Sequence, residues 1–137
     1  MKRGQLETYP VKILLAFTEA VGGNEDLFDW LLKNNYPELA VLSKSLRGGE
    51  ASNIWLIEHN FPQFAAFDAA IHSDVRALIW LKRHNFIFLI RLADASRGSE
   101  TAIDWFQKHD LKLFVLLAKK IKSFVDNQVF DVHKRRF

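Results

Sequence analysis

The sequence predicts an all-α protein, an α-solenoid of stacked helical hairpins with a 25-residue period, and three observations carry that expectation. Trp30, Trp55, Trp80 and Trp105 are the only tryptophans of the chain and stand 25 residues apart. Asn35, Asn60, Asn85 and Asp110 follow each of them by five residues. Turn-forming residues close every unit: Gly23-Asn24, Gly48-Gly49, Ser73-Asp74 and Gly98-Ser99. Apolar columns keep the same register, notably Leu39, Phe64, Leu89 and Phe114, and Leu42, Phe67, Leu92 and Leu117.

Residues 11–21 match only the second half of a unit, with Leu14 and Phe17 in the apolar columns. Four full units follow. In each, a first helix is expected from Glu25, Glu50, Val75 or Glu100 to the residue before the Asn/Asp column. Leu27, Trp30 and Leu31, or Ala77, Trp80 and Leu81, recur at i, i+3 and i+4, which is one face of a helix. Asn24, Asp74 and Ser99 stand where a side-chain oxygen can accept from the free N–H groups of the first turn. Asn35, Asn60 and Asn85 stand where a left-handed residue closes a helix, a conformation asparagine tolerates. The Trp column lies at the centre of the first-helix stripe and is therefore expected in the core, not as a platform for stacking bases.

The second helix is expected to start near Pro37 or Pro62, because proline suits the first helical position. Its stripe is Leu39, Leu42 and Leu46, repeated as Phe114, Leu117 and Ile121. The columns of Glu38, Val41, Lys44 and Ser45 should then point outward. Residues 126–137 match only a first helix, with Phe130 where a fifth Trp would fall. The array is thus four full repeats with a half repeat at each end, forming a single domain over residues 1–137.

The units resemble the helical part of an ankyrin repeat. Tyr36-Pro37-Glu38-Leu39-Ala40 through Arg47-Gly48-Gly49 is similar to the ankyrin first helix with its closing glycine. Residues 24–35, Asn-Glu-Asp-Leu-Phe-Asp-Trp-Leu-Leu-Lys-Asn-Asn, resemble the second helix and its left-handed cap. The Thr-Pro-Leu-His tetrapeptide of ankyrins is replaced by Tyr-Pro-Glu-Leu and Phe-Pro-Gln-Phe, and a 25-residue unit leaves no room for the projecting β-hairpin. The resemblance implies an ankyrin-like helical stack and a tendency to bind proteins.

Composition narrows the function classes. There is no cysteine, hence no disulfide frame and no thiolate nucleophile, which suits a reducing cytosol. The longest apolar run, residues 113–118, is far short of the ~20 residues that span a bilayer, so no membrane insertion is expected. Met1-Lys2-Arg3 resembles the start of a signal peptide, but Glu7, Pro10 and Lys12 interrupt any apolar core, and a cytoplasmic location is expected. Residues 1–74 hold 6 Lys/Arg against 10 Asp/Glu, whereas residues 75–137 hold 13 against 6. In a linear stack this predicts one acidic and one basic end, a field that orients charged partners.

The sequence holds no Gly-rich phosphate loop, no nucleophile elbow and no paired His at i and i+4 with a Glu, so an enzyme is not expected. His59, His84 and His109 form a column, but equivalent residues of stacked helices lie about 8–10 Å apart, too far to share one zinc ion. These histidines sit in the last turn of their helices, where partial positive charge suits the dipole. No metal or cofactor is expected.

The expected function is a non-enzymatic protein- or peptide-binding module that uses the concave face of the stack. Following the outward columns gives Gln63, then Phe88, Arg91 and Asp94, then Leu113, Leu116, Lys119 and Lys120 as the candidate contact residues. Phe88 and Arg91 would anchor an acidic and apolar segment, with Lys119 and Lys120 steering it. The alternative is a nucleic-acid or anionic-surface binder working through the basic C-terminal half, with Lys119, Lys120, Lys122, Lys134, Arg135 and Arg136.

Overall fold

A computed structural model describes residues 1–135, with side chains up to Gln128. Among the described residues nine α-helices follow a single 3-10 turn, Leu6–Thr8, and there is no strand. They are α1 (Val11–Val21), α2 (Glu25–Lys33), α3 (Pro37–Leu46), α4 (Glu50–Glu58), α5 (Pro62–Ile71), α6 (Val75–Arg83), α7 (Ile87–Ser96), α8 (Glu100–Lys108) and α9 (Lys112–Arg135). Consecutive helices pack as hairpins, and the even-numbered helices lie outside the odd-numbered ones.

The local signals act as their chemistry requires. Asn24 Oδ1 accepts from the Leu27 N–H, Asp74 Oδ1 from Arg76 and Ala77, and Ser99 Oγ from Ala102. Asn35, Asn60, Asn85 and Asp110 take φ of 67°, 69°, 61° and 56°, ending the outer helices in the left-handed region. At the other turn Gly23, Gly48 and Gly98 also have positive φ, and Ser73 substitutes at 63°.

The C-terminal half repeat is not a separate helix. Where the other units turn, Ser123 and Phe124 replace Gly48 and Gly49, and α9 runs on without a break. Neither a glycine pair, as at Gly48-Gly49, nor a cap oxygen, as at Asp74 after Ser73, stands at Ser123-Phe124, so nothing stops the helix already under way. The Phe130 position falls on α9, and its side chain lies outside the described residues.

The array curls until its ends meet. Inner helix α1 packs on α3, α3 on α5, α5 on α7 and α7 on α9, and α9 packs back on α1. Five inner helices in a circle leave an axis that only side chains can fill. Leu14, Phe17 and Val21 face it from α1, and Leu39, Leu42, Phe64, Phe67, Leu89, Leu92, Phe114 and Leu117 from the rest, all essentially buried. Small residues at the flanks, such as Ala20, Ser45, Ala70 and Ala95 in one column, let neighbouring helices approach closely.

The packing corrects three expectations. The acidic start and the basic end are not at opposite ends, because Glu19 on α1 and Lys120 on α9 form an ion pair at 2.9 Å. Glu38 and Ser45 do not point outward but are buried against neighbouring helices. The Trp column is half-buried, whereas the next residue, Leu31, Leu56, Leu81 or Phe106, is wholly buried as the wedge of each outer helix.

Residues 1–10 form a strap across one end of the ring. Leu6 is fully buried, and Gly4 approaches Gln63 so closely that a Cβ would lie 2.5 Å from Gln63 Nε2. Gln63 Nε2 donates to the Gly4 carbonyl at 3.0 Å. The buried Glu38 carboxylate is held by Arg3 Nη1 at 2.9 and 2.6 Å and by the Tyr9 hydroxyl at 2.6 Å. Tyr9 also accepts from the Gly4 N–H at 2.9 Å. Burial, then the hydrogen bond to Glu38, pushes the Tyr9 phenol pKa well up. At the opposite end Arg47 Nη1 donates to the Val21 carbonyl and Arg97 Nη1 to that of Ala70, which neutralises helix C-termini of the preceding repeats.

Two stability outcomes follow from this packing. Leu81→Ala should cost about 2–5 kcal/mol as a buried truncation, more than Trp80→Ala, in denaturant titrations followed by circular dichroism. Tyr9→Phe should cost about 1–3 kcal/mol, because Glu38 loses a donor inside the fold. A variant as stable as the native chain would mean that the strap does not hold Glu38.

Candidate interaction surface

Each outer helix covers a seam between two inner helices, so the outward surface has two kinds of position. On the outer helices it is the side opposite the Leu31, Leu56, Leu81 and Phe106 wedges. On the inner helices it is a narrow strip, represented by Val41, Ala66, Arg91 and Leu116, which is partly visible between outer helices, while Ala16 in the same column is buried.

The sequence-predicted contact residues do not form one open face. Gln63 is buried and committed to Gly4. Phe88 is half-buried, edge-on to Phe106 at 5.5 Å and to Phe114 at 4.8 Å between ring centroids. The Arg91 guanidinium lies 4.0 Å from the Trp105 ring centroid, and Asp94 pairs with Arg97. Leu113 is half-buried and Lys120 is paired with Glu19. Leu116 and Lys119 alone of the set are exposed. The reason is packing onto the N-terminal strap and onto the next helices along the chain, with Lys120 alone engaged across the α9–α1 contact.

The exposed apolar surface lies elsewhere. On α4, Ile54 and Ile57 are 57% and 55% exposed; on α6, Val75 and Ile79 are 64% and 46% exposed. The column of Ile54 and Ile79 holds Asp29 in the first repeat and Asp104 in the fourth, so the apolar choice is confined to the middle of the array. Glu50 and Glu58 flank it on α4, and Arg76, Lys82 and Arg83 on α6. The departure is legible within one column, Asp29, Ile54, Ile79 and Asp104, which lies on the first helices and outside the second-helix columns that supply the expected contact residues.

A polar cleft of about 520 Å³ opens beside the turn after α3, lined by Ser45, Gly48, Asn53, Asp68, His72 and Gln128 among others. Ser45 Oγ donates to Asp68 Oδ2 at 2.6 Å, and His72 Nδ1 lies 3.8 Å from Asp68 Oδ1. The hydroxyl is therefore bound to the carboxylate itself and not to the imidazole, which is not the arrangement that activates a serine. Burial raises the Asp68 pKa, with the Ser45 hydrogen bond and His72 opposing it. Among the described residues no three His, Cys, Asp or Glu side chains are grouped to hold a metal ion. His59, His84 and His109 instead stack on the Trp four residues earlier, with ring centroids 3.9, 4.2 and 4.2 Å apart.

No protein-family model matches this chain, and no curated protein or solved structure matches it either.

Asp68 gives a pH test of the cleft. A carboxyl whose folded pKa is raised costs stability once it ionises, a cost absent below the ordinary value of 3.8 and complete above the raised one. Asp68→Asn should therefore gain on the native chain as pH rises toward neutrality and lose that gain in acid. Denaturant midpoints across this pH range check it, and a difference independent of pH would contradict it.

Proposed function

We propose that this chain is a non-enzymatic protein- or peptide-binding module that presents the outward surface of a closed helical array. One observation carries the reading: Ile54, Ile57, Val75 and Ile79 are large apolar side chains held largely in water on adjacent outer helices. Exposed apolar groups ringed by charge mark contact surfaces. The repeat's own needs do not explain them: Asp29 and Asp104 serve at the column of Ile54 and Ile79, Lys82 and Gln107 at that of Ile57, and Glu25, Glu50 and Glu100 at that of Val75. The ankyrin-like character of the units supports the same class of function. Among the described residues no helix is long and apolar enough to cross a membrane, and a cytoplasmic setting is part of the proposal.

Binding of nucleic acid through the basic C-terminal half is the competing reading. Several of its cations already have intramolecular work: Arg91 on Trp105, Arg97 on Asp94, Lys120 on Glu19 and Lys122 on Asp126.

Affinity capture from the native host, analysed for protein and nucleic acid together, separates the two. Ile57→Glu with Ile79→Glu sits at exposed positions and should shift stability by less than about 0.5 kcal/mol each. The double variant should nonetheless lose the captured protein, each substitution weakening binding by more than about 1 kcal/mol. Capture of the same proteins by both chains, or of nucleic acid released steeply by salt, would overturn the reading.

A further inference from the structure

Five seams separate the five inner helices, and four carry an outer helix: α2 over α1 and α3, α4 over α3 and α5, α6 over α5 and α7, α8 over α7 and α9. Among the described residues the seam between α9 and α1 carries none. Exposure at equivalent repeat positions registers the difference. Leu15 on α1 is 47% exposed, whereas in its column, behind outer helices, Ala40, Ala65 and Val115 are 0%, 6% and 7% exposed and Ile90 is half-buried. Leu116 on α9 is 43% exposed, whereas in its column Ala16, which has α2 ahead of it, is 7% exposed and Val41, Ala66 and Arg91 are half-buried. Val11 is exposed too, although Tyr36, Phe61, Phe86 and Leu111 in its column are half-buried. Three apolar side chains thus stand in water at positions the repeat elsewhere covers wholly or in part.

The chain's own C-terminal segment does not suit this seam. In repeat register it sets Asp131 in the column of Leu31, Leu56, Leu81 and Phe106, which is wholly buried. An unpaired carboxylate is expelled from such a position. Phe124, moreover, lies 4.8 Å from the Arg47 guanidinium, beside the turn after α3.

The borders of the seam select by charge. Lys12, Lys112 and Lys119 are exposed along it, while Glu19 is paired with Lys120 across it. The helix that covers the neighbouring seam shows what fits: α2 carries Glu25, Asp26 and Asp29, and Lys12 Nζ lies 5.9 Å from the centroid of its Trp30 ring. We propose that the seam between α9 and α1 is the docking site of an acidic amphipathic helix from a partner protein, seated as a fifth outer helix. Its occupant would present apolar residues at i, i+3 and i+4 toward Leu15 and Leu116 and carboxylates toward the three lysines. The inference rests on the chain being a protein-binding module, but it uses a surface separate from the α4 and α6 isoleucines.

The probe is a synthetic peptide of residues 24–35, acetylated and amidated, titrated into the full-length protein and followed by amide chemical shifts. Saturable binding is expected, with shifts centred on Val11, Leu15 and Leu116. Leu116→Asp and, independently, the surface change Lys119→Glu should each weaken it, the former by more than about ten-fold. A peptide with Leu31→Asp should not bind. The Ile57→Glu and Ile79→Glu protein should bind the peptide normally, so failure of the α4–α6 contact surface and failure of the seam are read separately. No saturable binding at millimolar peptide, shifts confined to other helices through displacement of the resident α2, or binding indifferent to both seam variants would overturn the proposal.

Discussion

The contact between α1 and α9 governs the rest of the molecule. Once the last inner helix meets the first, the circle of five has an interior that cannot hold water, and every inner helix must give its best apolar stripe to it. Each inner helix lies between two neighbours, α1 and α9 through this contact and the others through sequential packing, and small residues recur on the flanks, where Ser43, Ser45 and Thr18 are buried. Their hydroxyls are not wasted: Thr18 and Ser43 donate to backbone carbonyls of their own helices and Ser45 donates to Asp68. Closure also removes the free ends at which a linear repeat array frays.

A ring has two open ends, and the chain treats them differently. At one, the residues before the first helix cross over the axis and seat Leu6 within it. Their anchor is electrostatic, the Glu38 carboxylate held by Arg3 and Tyr9. A buried carboxylate is tolerable only with such partners, so Glu38 in the first full repeat and Arg3 in the strap are meaningful only together. At the other end, arginines reach back to carbonyls of the preceding repeat and α9 continues beyond the ring. Lys122 and Asp126 pair on that continuation, one helical turn apart.

With the interior filled, recognition is left to the outside. The four outer helices share an inward wedge and a left-handed final residue, yet their outward residues differ from repeat to repeat. Isoleucines and valine stand outward in the middle two, aspartates in the flanking two. Uniform inward residues keep the scaffold, and variable outward ones are where a partner is distinguished. The uncovered α9–α1 seam adds a second kind of surface, shaped by the same register that places the other outer helices.

Helix boundaries were legible from the amino acids because they are set within a few residues. Asn24, Asp74 and Ser99 cap first turns, Asn35, Asn60 and Asn85 adopt positive φ, and Pro37 and Pro62 open second helices at the positions expected of them. The apolar stripes of the inner helices were equally plain, since a 3.6-residue period is a property of one helix. Which flank of that helix is buried is not, because it depends on how far each repeat rotates against the next. That small angle, summed around the array, brings α9 onto α1, while the N-terminal strap turns Glu38 and Gln63, and the neighbouring α5 turns Ser45, from expected surface into interior. It likewise joins Glu19 to Lys120, residues 101 positions apart, and leaves Leu15 and Leu116 exposed without a covering helix. Local chemistry wrote the elements; only the accumulated geometry of their packing decided which surfaces face a partner.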